Sequence, residues 1–330
     1  MRVLILGGAG MLGRKLGERL AADGRLGEAE IAHLSLVDVA PPLPLPPVAI
    51  EVDAAVADIS LPGVAERVIA DRPDVVFHLA AVVSGEAETD LEKGYRVNVE
   101  GMRLLLDAVR GVGDGYRPTV VLASSIAVFG APFPETIPDE FATTPLTSYG
   151  TQKAIGELLL ADYSRRGFLD GVAIRLPTIC VRPGTPNAAA SGFFSSIIRE
   201  PLHGREAVLP VSEDVRHWVA SPRAAMGYLV HAASLDRRTL GNRCCLTMPG
   251  LSVTVAEQIE ALREVAGEAA VRLIRREPDE RITRMVAGWP SRFDPQRALE
   301  LGFRGETSFA EIVRSYIDDE LSGSVAAGPG

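Results

Sequence analysis

Arg2-Val3-Leu4-Ile5-Leu6-Gly7-Gly8-Ala9-Gly10-Met11-Leu12-Gly13 opens the chain, and its reading decides the fold. The apolar run Arg2–Leu6 has the length and character of a strand buried on both faces of a parallel sheet. It leads straight into glycines at 7, 10 and 13, and apolar residues then recur at helical spacing through Leu16 and Leu20. A glycine triplet between a strand and a helix has a physical meaning. One glycine makes the tight turn, one admits the backbone close to a pyrophosphate, and one lets the helix sit near the strand. Met11 and Leu12 then lie at a helix start, where free N–H groups and the helix dipole favour phosphate.

Working outward, a second strand, Ala32–Val37, ends at Asp38. An acid at that tip accepts hydrogen bonds from ribose hydroxyls and repels a 2′-phosphate. No Arg or Lys intervenes before the proline-rich loop Pro41–Pro47, so the pattern favours NAD, with NADP the less favoured cofactor. Ala49–Asp58 reads as a third strand running into a loop, and Asp58-Ile59 falls where an adenine would be flanked. A helix at Leu61–Ala70 precedes a fourth strand, Asp74 to Ala81, whose small ending at Ala80 leaves room for the middle of a dinucleotide. His78 reads as a hydrogen-bonded strand-end residue, and Ser84 is a candidate substrate contact. Leu91–Val109 is a long amphipathic helix carrying Asn98. Thr119–Ala123 is a fifth strand ending in Ser124-Ser125, on the rim where α/β sheets bind ligands.

The next signal is Ser148-Tyr149-Gly150-Thr151-Gln152-Lys153. Tyr149 and Lys153 are one helical turn apart on one face. A tyrosine hydroxyl has an ordinary pKa of about 10, and a neighbouring ammonium favours its phenolate. The pair can therefore take a proton from an alcohol.

Glycines 7, 10 and 13, Asp38, His78-Leu79-Ala80-Ala81, Ser124-Ser125, Tyr149 and Lys153 occur in the order found in the short-chain dehydrogenase/reductase superfamily. The chain resembles the extended, epimerase-like branch of that superfamily over residues 1–185. The resemblance implies a Rossmann-type, doubly wound α/β fold with a smaller C-terminal substrate lobe. It implies that Ser125 holds the substrate hydroxyl, Tyr149 exchanges its proton, and Lys153 binds the nicotinamide ribose and lowers the tyrosine pKa. Asn98 is similar to the asparagine that supports such sites, and Leu176–Thr178, with Pro177 at its centre, lies beside the nicotinamide. A narrower resemblance spans Ser124–Gly130, Pro145 to Lys153, Arg175 to Gly184 and Asp214 to Trp218. It is to dehydrogenases that oxidise the 2-hydroxyl of a four-carbon sugar acid. A homodimer through Leu91–Val109 and Tyr149–Arg165 is implied as well.

Residues 1–176 thus form the cofactor domain and 177–321 the substrate lobe, some of whose segments return to the first domain; Ser322–Gly330 is a Gly/Ser/Ala-rich tail. In the second half Asn187 and Ser191 precede a helix at Gly192–Glu200. Arg216 and Arg182 are candidates for pairing with a substrate carboxylate by charge-assisted hydrogen bonds, whereas Arg175 is structural. Arg216-His217-Trp218 departs from the Arg-Asp-aromatic pattern of nucleotide-sugar enzymes. Further elements are helices Ser221–Ser234, Thr254–Ala266 and Ser308–Leu321 and strands Arg243–Met248 and Val271–Arg275. Leu251 to Val255 reads as a helix cap, and no internal repeat is present.

A formal charge of −9 argues against nucleic acid or an anionic membrane as the main partner. No apolar run reaches the roughly 18 residues of a membrane span. The three cysteines have no metal-ligand spacing and fit a reducing compartment. The expectation is a cytoplasmic enzyme. Two other readings compete: a nucleotide-sugar epimerase or dehydratase, and a non-catalytic NAD sensor.

Overall fold

The computed structural model of the chain describes residues 1–184 and 191–323. It divides into two compact units. Met1–Val128, Thr147–Leu176 and Met226–Thr247 form the first; Phe129–Leu146, Pro177–Ala225 and Met248–Gly330 form the second. The chain therefore makes an excursion into the second unit at 129–146 and returns to the first at 226–247.

Seven parallel strands make the sheet of the first unit: β1 Arg2–Leu6, β2 His33–Asp38, β3 Glu51–Val56, β4 Val75–His78, β5 Thr119–Ser125, β6 Asp170–Leu176 and β7 Cys245–Thr247. Their order is β7-β6-β5-β4-β1-β2-β3. From β1 the chain winds outward to β2 and β3 on one side, then restarts at β4 on the other. Leu6 pairs with both Val37 of β2 and His78 of β4. That reversal opens a crevice beyond the carboxyl ends of β1 and β4, where such sheets bind ligands. The doubly wound parallel sheet expected from the glycine loop is what the chain forms.

The central strands are buried along most of their length, which is why they read as continuous apolar runs. Leu4, Leu6, Val76, Leu106, Val120 and Leu160 share one core. Each such side chain contributes about 1.5–3 kcal/mol by leaving water. The edge strand β3 is exposed and carries Glu51 and Asp53, charges that discourage pairing with another chain.

The helical run read as Leu91–Val109 is not uniform. Leu91–Tyr95 and Gly101–Val112 are α-helical, and Arg96–Glu100 between them winds as a π turn. Asp90 caps its start by accepting from the Lys93 N–H. Two glycines permit its close packing: a Cβ at Gly94 would lie 2.5 Å from Nε2 of Gln152, and one at Gly101 would press on Ile59.

The second unit has a three-stranded sheet. Thr178–Ile179 runs parallel to Arg216–Ala220, which pairs antiparallel with Leu251–Thr254. Phe194, Ile197, Leu262, Ile312 and Val313 lie in its core. Thr254 begins the helix Val255–Val271 with a reciprocal cap: its Oγ1 accepts from the Glu257 N–H, and Glu257 Oε2 accepts from the Thr254 N–H. The segment read only as a cap is thus strand and cap together. Val271, placed in a strand by the sequence, ends this helix instead, and the strand is Ile274–Arg276. Gly267, with φ +79° and ψ 174°, is not helical and splits Val255–Val271 into two helices, so the first ends before it, where the sequence reading placed its end, and a second short helix runs to Val271.

Candidate active site

At the glycine loop, Gly7 has φ +91°, a conformation that other residues adopt only with strain, and a Cβ there would lie 2.6 Å from the N of Ala80. A Cβ at Gly13 would overlap the carbonyl oxygen of Gly7. The loop, the helix Met11–Asp23 and the end of β4 therefore interlock with no space for side chains. Gly10, the N-cap, has no side chain to cap that helix. Arg14 N–H is the first to reach back, to the Gly10 carbonyl at 2.8 Å, so the N–H groups of Met11, Leu12 and Gly13 have no acceptor within the helix. Asp38 stands beside them at the tip of β2. Its Oδ2 accepts from the Ala9 N–H at 2.9 Å and its Oδ1 from the Ala40 N–H at 3.2 Å.

Asp58 and Ile59 are used locally. Asp58 accepts from Ser60 N–H and Oγ–H and from Nη1 of Arg96, and Ile59 is buried. Burial opposes ionisation of Asp58, but its bonds to Ser60 and Arg96 outweigh that and hold the carboxyl below its usual range. Ser84 begins a short helix, Ser84–Thr89, and is partly exposed. Asn98 lies buried in the π turn. Its Oδ1 accepts from Val82 N–H at 2.8 Å, and its Nδ2 donates to the Val82 carbonyl at 3.0 Å and to Gln152 Oε1 at 2.7 Å. The amide ties the chain beyond β4 to the helix Ser148–Arg165.

That helix is capped by Thr147, whose Oγ1 accepts from the Gly150 N–H at 3.0 Å. Tyr149 and Lys153 project from its first turns, and Lys153 Nζ lies 5.6 Å from the centre of the Tyr149 ring. The ammonium donates to the Ala123 carbonyl at 2.8 Å and is buried. Burial pushes the Lys153 pKa down to about 8, and the Glu157 carboxylate pushes the other way. At pH 7 Lys153 still carries its proton. Ser125, at the end of β5, accepts through Oγ from the Ala127 N–H at 3.1 Å. His78 is buried with no partner at Nδ1. Burial first, then the Lys153 charge, depresses its pKa to about 3, so it is neutral at pH 7.

Beneath the helix, Glu157 Oε1 accepts from Ser124 Oγ at 2.6 Å and Oε2 from Arg175 Nη2 at 2.7 Å. Arg175 is thus paired under the sheet, as its position suggested. Glu157 and Gln152 were not singled out from the sequence. Glu157 could have been, because it lies one further helical turn beyond Lys153.

The other expected residues belong to the second unit, apart from Asn187, which falls outside the described residues. Pro177 is buried. Thr178 Oγ1 and His217 Nε2 are 2.6 Å apart, and His217 stacks on Phe194 with ring centres 5.0 Å apart. Arg182 Nη2 donates to Ser191 Oγ at 2.9 Å, so two candidate substrate contacts meet. Arg216 Nη1 donates to the Ser252 carbonyl at 2.6 Å and lies 3.3 Å from Glu257 Oε2. The guanidinium is already engaged by a carboxylate of the chain itself.

Residues 3–238 match the NAD dependent epimerase/dehydratase family. The chain belongs to this family. The resemblance to the extended branch is thereby borne out. Among relatives of the chain, D-erythronate dehydrogenase from Cupriavidus necator is 48% identical over 97% of this chain and 98% of its own length. The enzyme of that name from Haemophilus influenzae is 43% identical over 97% and 100%. A crystal structure described as the nucleoside-diphosphate-sugar epimerase from Agrobacterium tumefaciens is 62% identical, covering 99% of this chain and 96% of that one with a TM-score of 0.97.

Membership in a NAD dependent family implies a nicotinamide cofactor, and the first unit fits one. Gly7 and Gly13 let the loop, the helix start and the chain at Ala80 pack backbone against backbone, the helix start offers uncapped N–H groups, and the Asp38 carboxylate is fixed beside them. Among the described residues no helix is long and apolar enough to cross a membrane.

Proposed function

We propose that this protein is an NAD-dependent dehydrogenase that oxidises the 2-hydroxyl of D-erythronate to the 2-oxo acid. The observation that carries this reading is near-full-length identity of 48% and 43% to two enzymes called D-erythronate dehydrogenase. Ser125, Tyr149 and Lys153 in one unit of the chain support it. In this reading Ser125 Oγ orients the hydroxyl, and Tyr149 removes its proton. Lys153, charged and buried, stabilises the phenolate. The N–H groups of Met11, Leu12 and Gly13 hold the pyrophosphate, and Asp38 takes the adenosine ribose hydroxyls. When bound, the nicotinamide supplies the two-electron acceptor for the carbinol carbon.

The described name of the Agrobacterium structure favours a second reading, a nucleotide-sugar epimerase. An epimerase restores its cofactor in every turnover, whereas a dehydrogenase releases NADH. Purified protein with NAD and a panel of four- to six-carbon sugar acids is expected to form NADH in step with a 2-oxo acid, fastest with D-erythronate. No NADH from any acid, with inversion of a nucleotide sugar instead, would overturn the dehydrogenase reading.

The choice of NAD rests on Asp38. Asp38→Ala is expected to weaken NAD binding and raise the relative use of NADP, because a fixed negative charge no longer faces the 2′-phosphate. Measuring kcat/KM with both cofactors checks this, and an unchanged ratio would place Asp38 away from the ribose.

Arg182 and Arg216 remain the candidates for the substrate carboxylate. Glu257 faces Arg216 and Ser191 accepts from Arg182, so each guanidinium is tested by the same kind of substitution. Arg182→Met keeps much of the apolar stem and removes the charge. Loss of one charge-assisted contact is expected to cost ~1.5–3 kcal/mol, or roughly 10- to 150-fold in kcat/KM, with sugar acids but much less with the lactone. Equal losses with both substrates would mean that Arg182 supports only its own loop. A homodimer and a cytoplasmic setting belong to the same proposal. Exposed Leu91, Tyr95 and Leu158 along the two helices of the expected interface support the dimer.

A further inference from the structure

Glu157 has a carboxylate buried to 3% exposure on the helix that carries Tyr149 and Lys153. Three features set it apart from an ordinary buried acid. It lies four residues beyond Lys153, on the same helical face. Its Oε1 fixes Ser124, the residue immediately before Ser125 at the end of β5. Its remaining acceptor positions are filled by Arg175, through Nε at 2.9 and 3.1 Å and Nη2 at 2.7 Å. Stability alone does not explain such an arrangement, because a buried ion pair is often no better for stability than apolar side chains of the same volume.

We propose that Glu157 is a positioning residue for the acid–base pair: it anchors the strand end that presents Ser125 and supplies the negative charge that keeps Lys153 an ammonium. This rests on the reading of Tyr149 as the base and Lys153 as its cationic partner. Lys153 sits in a buried setting where its described hydrogen bond goes to the neutral Ala123 carbonyl. Burial favours loss of its proton, and the Glu157 charge opposes that loss. The other ionisable groups around the pair do not supply this charge. His78 faces Lys153 but is neutral. Arg175 is positive and binds Glu157 itself. Cys244 and Cys245 of the β7 side both feel the Glu157 charge, and Cys245 is held protonated first by its bond to Cys244 and then by burial. Tyr149 is the group that the ammonium serves.

Replacing the carboxylate by an amide leaves the ammonium in a buried site without its counter-charge. Lys153 then gives up its proton at lower pH, and Tyr149 becomes a phenolate only at higher pH. Glu157→Gln is therefore expected to move the acid limb of kcat/KM for sugar-acid oxidation up by about one pH unit. That is roughly a tenfold loss at a fixed pH on that limb, recovered at alkaline pH. Glu157→Asp, which keeps the charge, is expected to bring the limb back towards its original place. If Glu157→Gln does not fold because Arg175 is left unpaired, the Glu157→Gln/Arg175→Gln double variant removes both members and is read for the same shift. A rate lowered equally at every pH, with the limb unmoved, would show that Glu157 only supports the fold. Tyr149→Phe, assayed alongside, separates the two ideas. An inactive Tyr149→Phe with an unmoved limb in Glu157→Gln overturns the role of Glu157 alone. An active Tyr149→Phe overturns the acid–base reading and this proposal with it.

Discussion

Tyr149→Phe is expected to reduce sugar-acid oxidation by at least ~10²–10⁴-fold, the range typical of general acid–base catalysis, while the nicotinamide cofactor still binds. The phenyl ring keeps its place on the first turn of a helix that Thr147 caps, and only the oxygen is lost. Nothing else described near the pair can take over the proton. His78 is held neutral with a pKa near 3, too weak a base at neutral pH, and the Lys153 ammonium is itself protonated at pH 7. Cofactor binding, followed by quenching of protein fluorescence, should remain close to wild type because the glycine loop and Asp38 are untouched. Turnover within a few-fold of wild type would remove Tyr149 from the chemistry.

Stability should fall steeply as the pH drops from about 6.5 towards 4. His78 and His217 are both buried, and burial is the leading cause that lowers their pKa values, to about 3 and about 4. For His78 the Lys153 charge adds to the effect, and for His217 a bond with the Pro290 backbone opposes it. In the unfolded chain both would titrate near the ordinary 6.5. The sign follows: the folded pKa values lie below the unfolded ones, so the unfolded chain binds more protons in this window. The stabilisation is complete above about pH 6.5 and is lost as the pH falls through the folded values. Two such groups together cost about 2.7 kcal/mol per pH unit once well below 6.5, a large share of the ~5–15 kcal/mol that holds a typical domain. Melting temperatures measured from pH 7 to 4.5 should drop accordingly, and His217→Gln should flatten the slope. Equal melting temperatures at pH 7 and 5 would mean that these rings are protonated inside the fold.

Those two expectations draw on different depths of the sequence. Tyr149, Lys153, Ser125 and the glycines were legible because each signal is local. A strand, a triplet of glycines and a helix start lie within a dozen residues, and the positive φ at Gly7 is what a glycine there implies. The environment of His217 was not legible. Its ring meets Thr178 and Phe194, 39 and 23 residues away, and nothing in the intervening composition announces the meeting. Arg216 shows the same limit. Residue type made it a candidate for a carboxylate, but the Glu257 carboxylate beside it comes from the far side of an antiparallel strand pair. The π turn at Arg96–Glu100 escaped for another reason. Apolar spacing reports which face of a helix is buried, and one extra residue in a turn changes the hydrogen-bond register before it changes that face. Sequence order indicated that segments beyond 177 return to the first unit but not that residues 226–247 are the ones, since a segment's partner is set by packing rather than by its neighbours along the chain.

That return bears on how the protein is made. β6 ends at Leu176, yet β7, the strand that covers its free side, begins only at Cys245. During synthesis at ~5–20 residues per second, the row of N–H and C=O groups along β6 waits several seconds for its neighbour, or longer at a pause. Unpaired strand edges are templates for other chains, so the nascent protein passes through a stage in which its seven-stranded sheet lacks that edge strand. Helper proteins that recognise exposed strands have their opportunity in that interval, while the segment from Pro177 to Ala225 is still emerging. The sheet can close only when about three-quarters of the chain has left the ribosome.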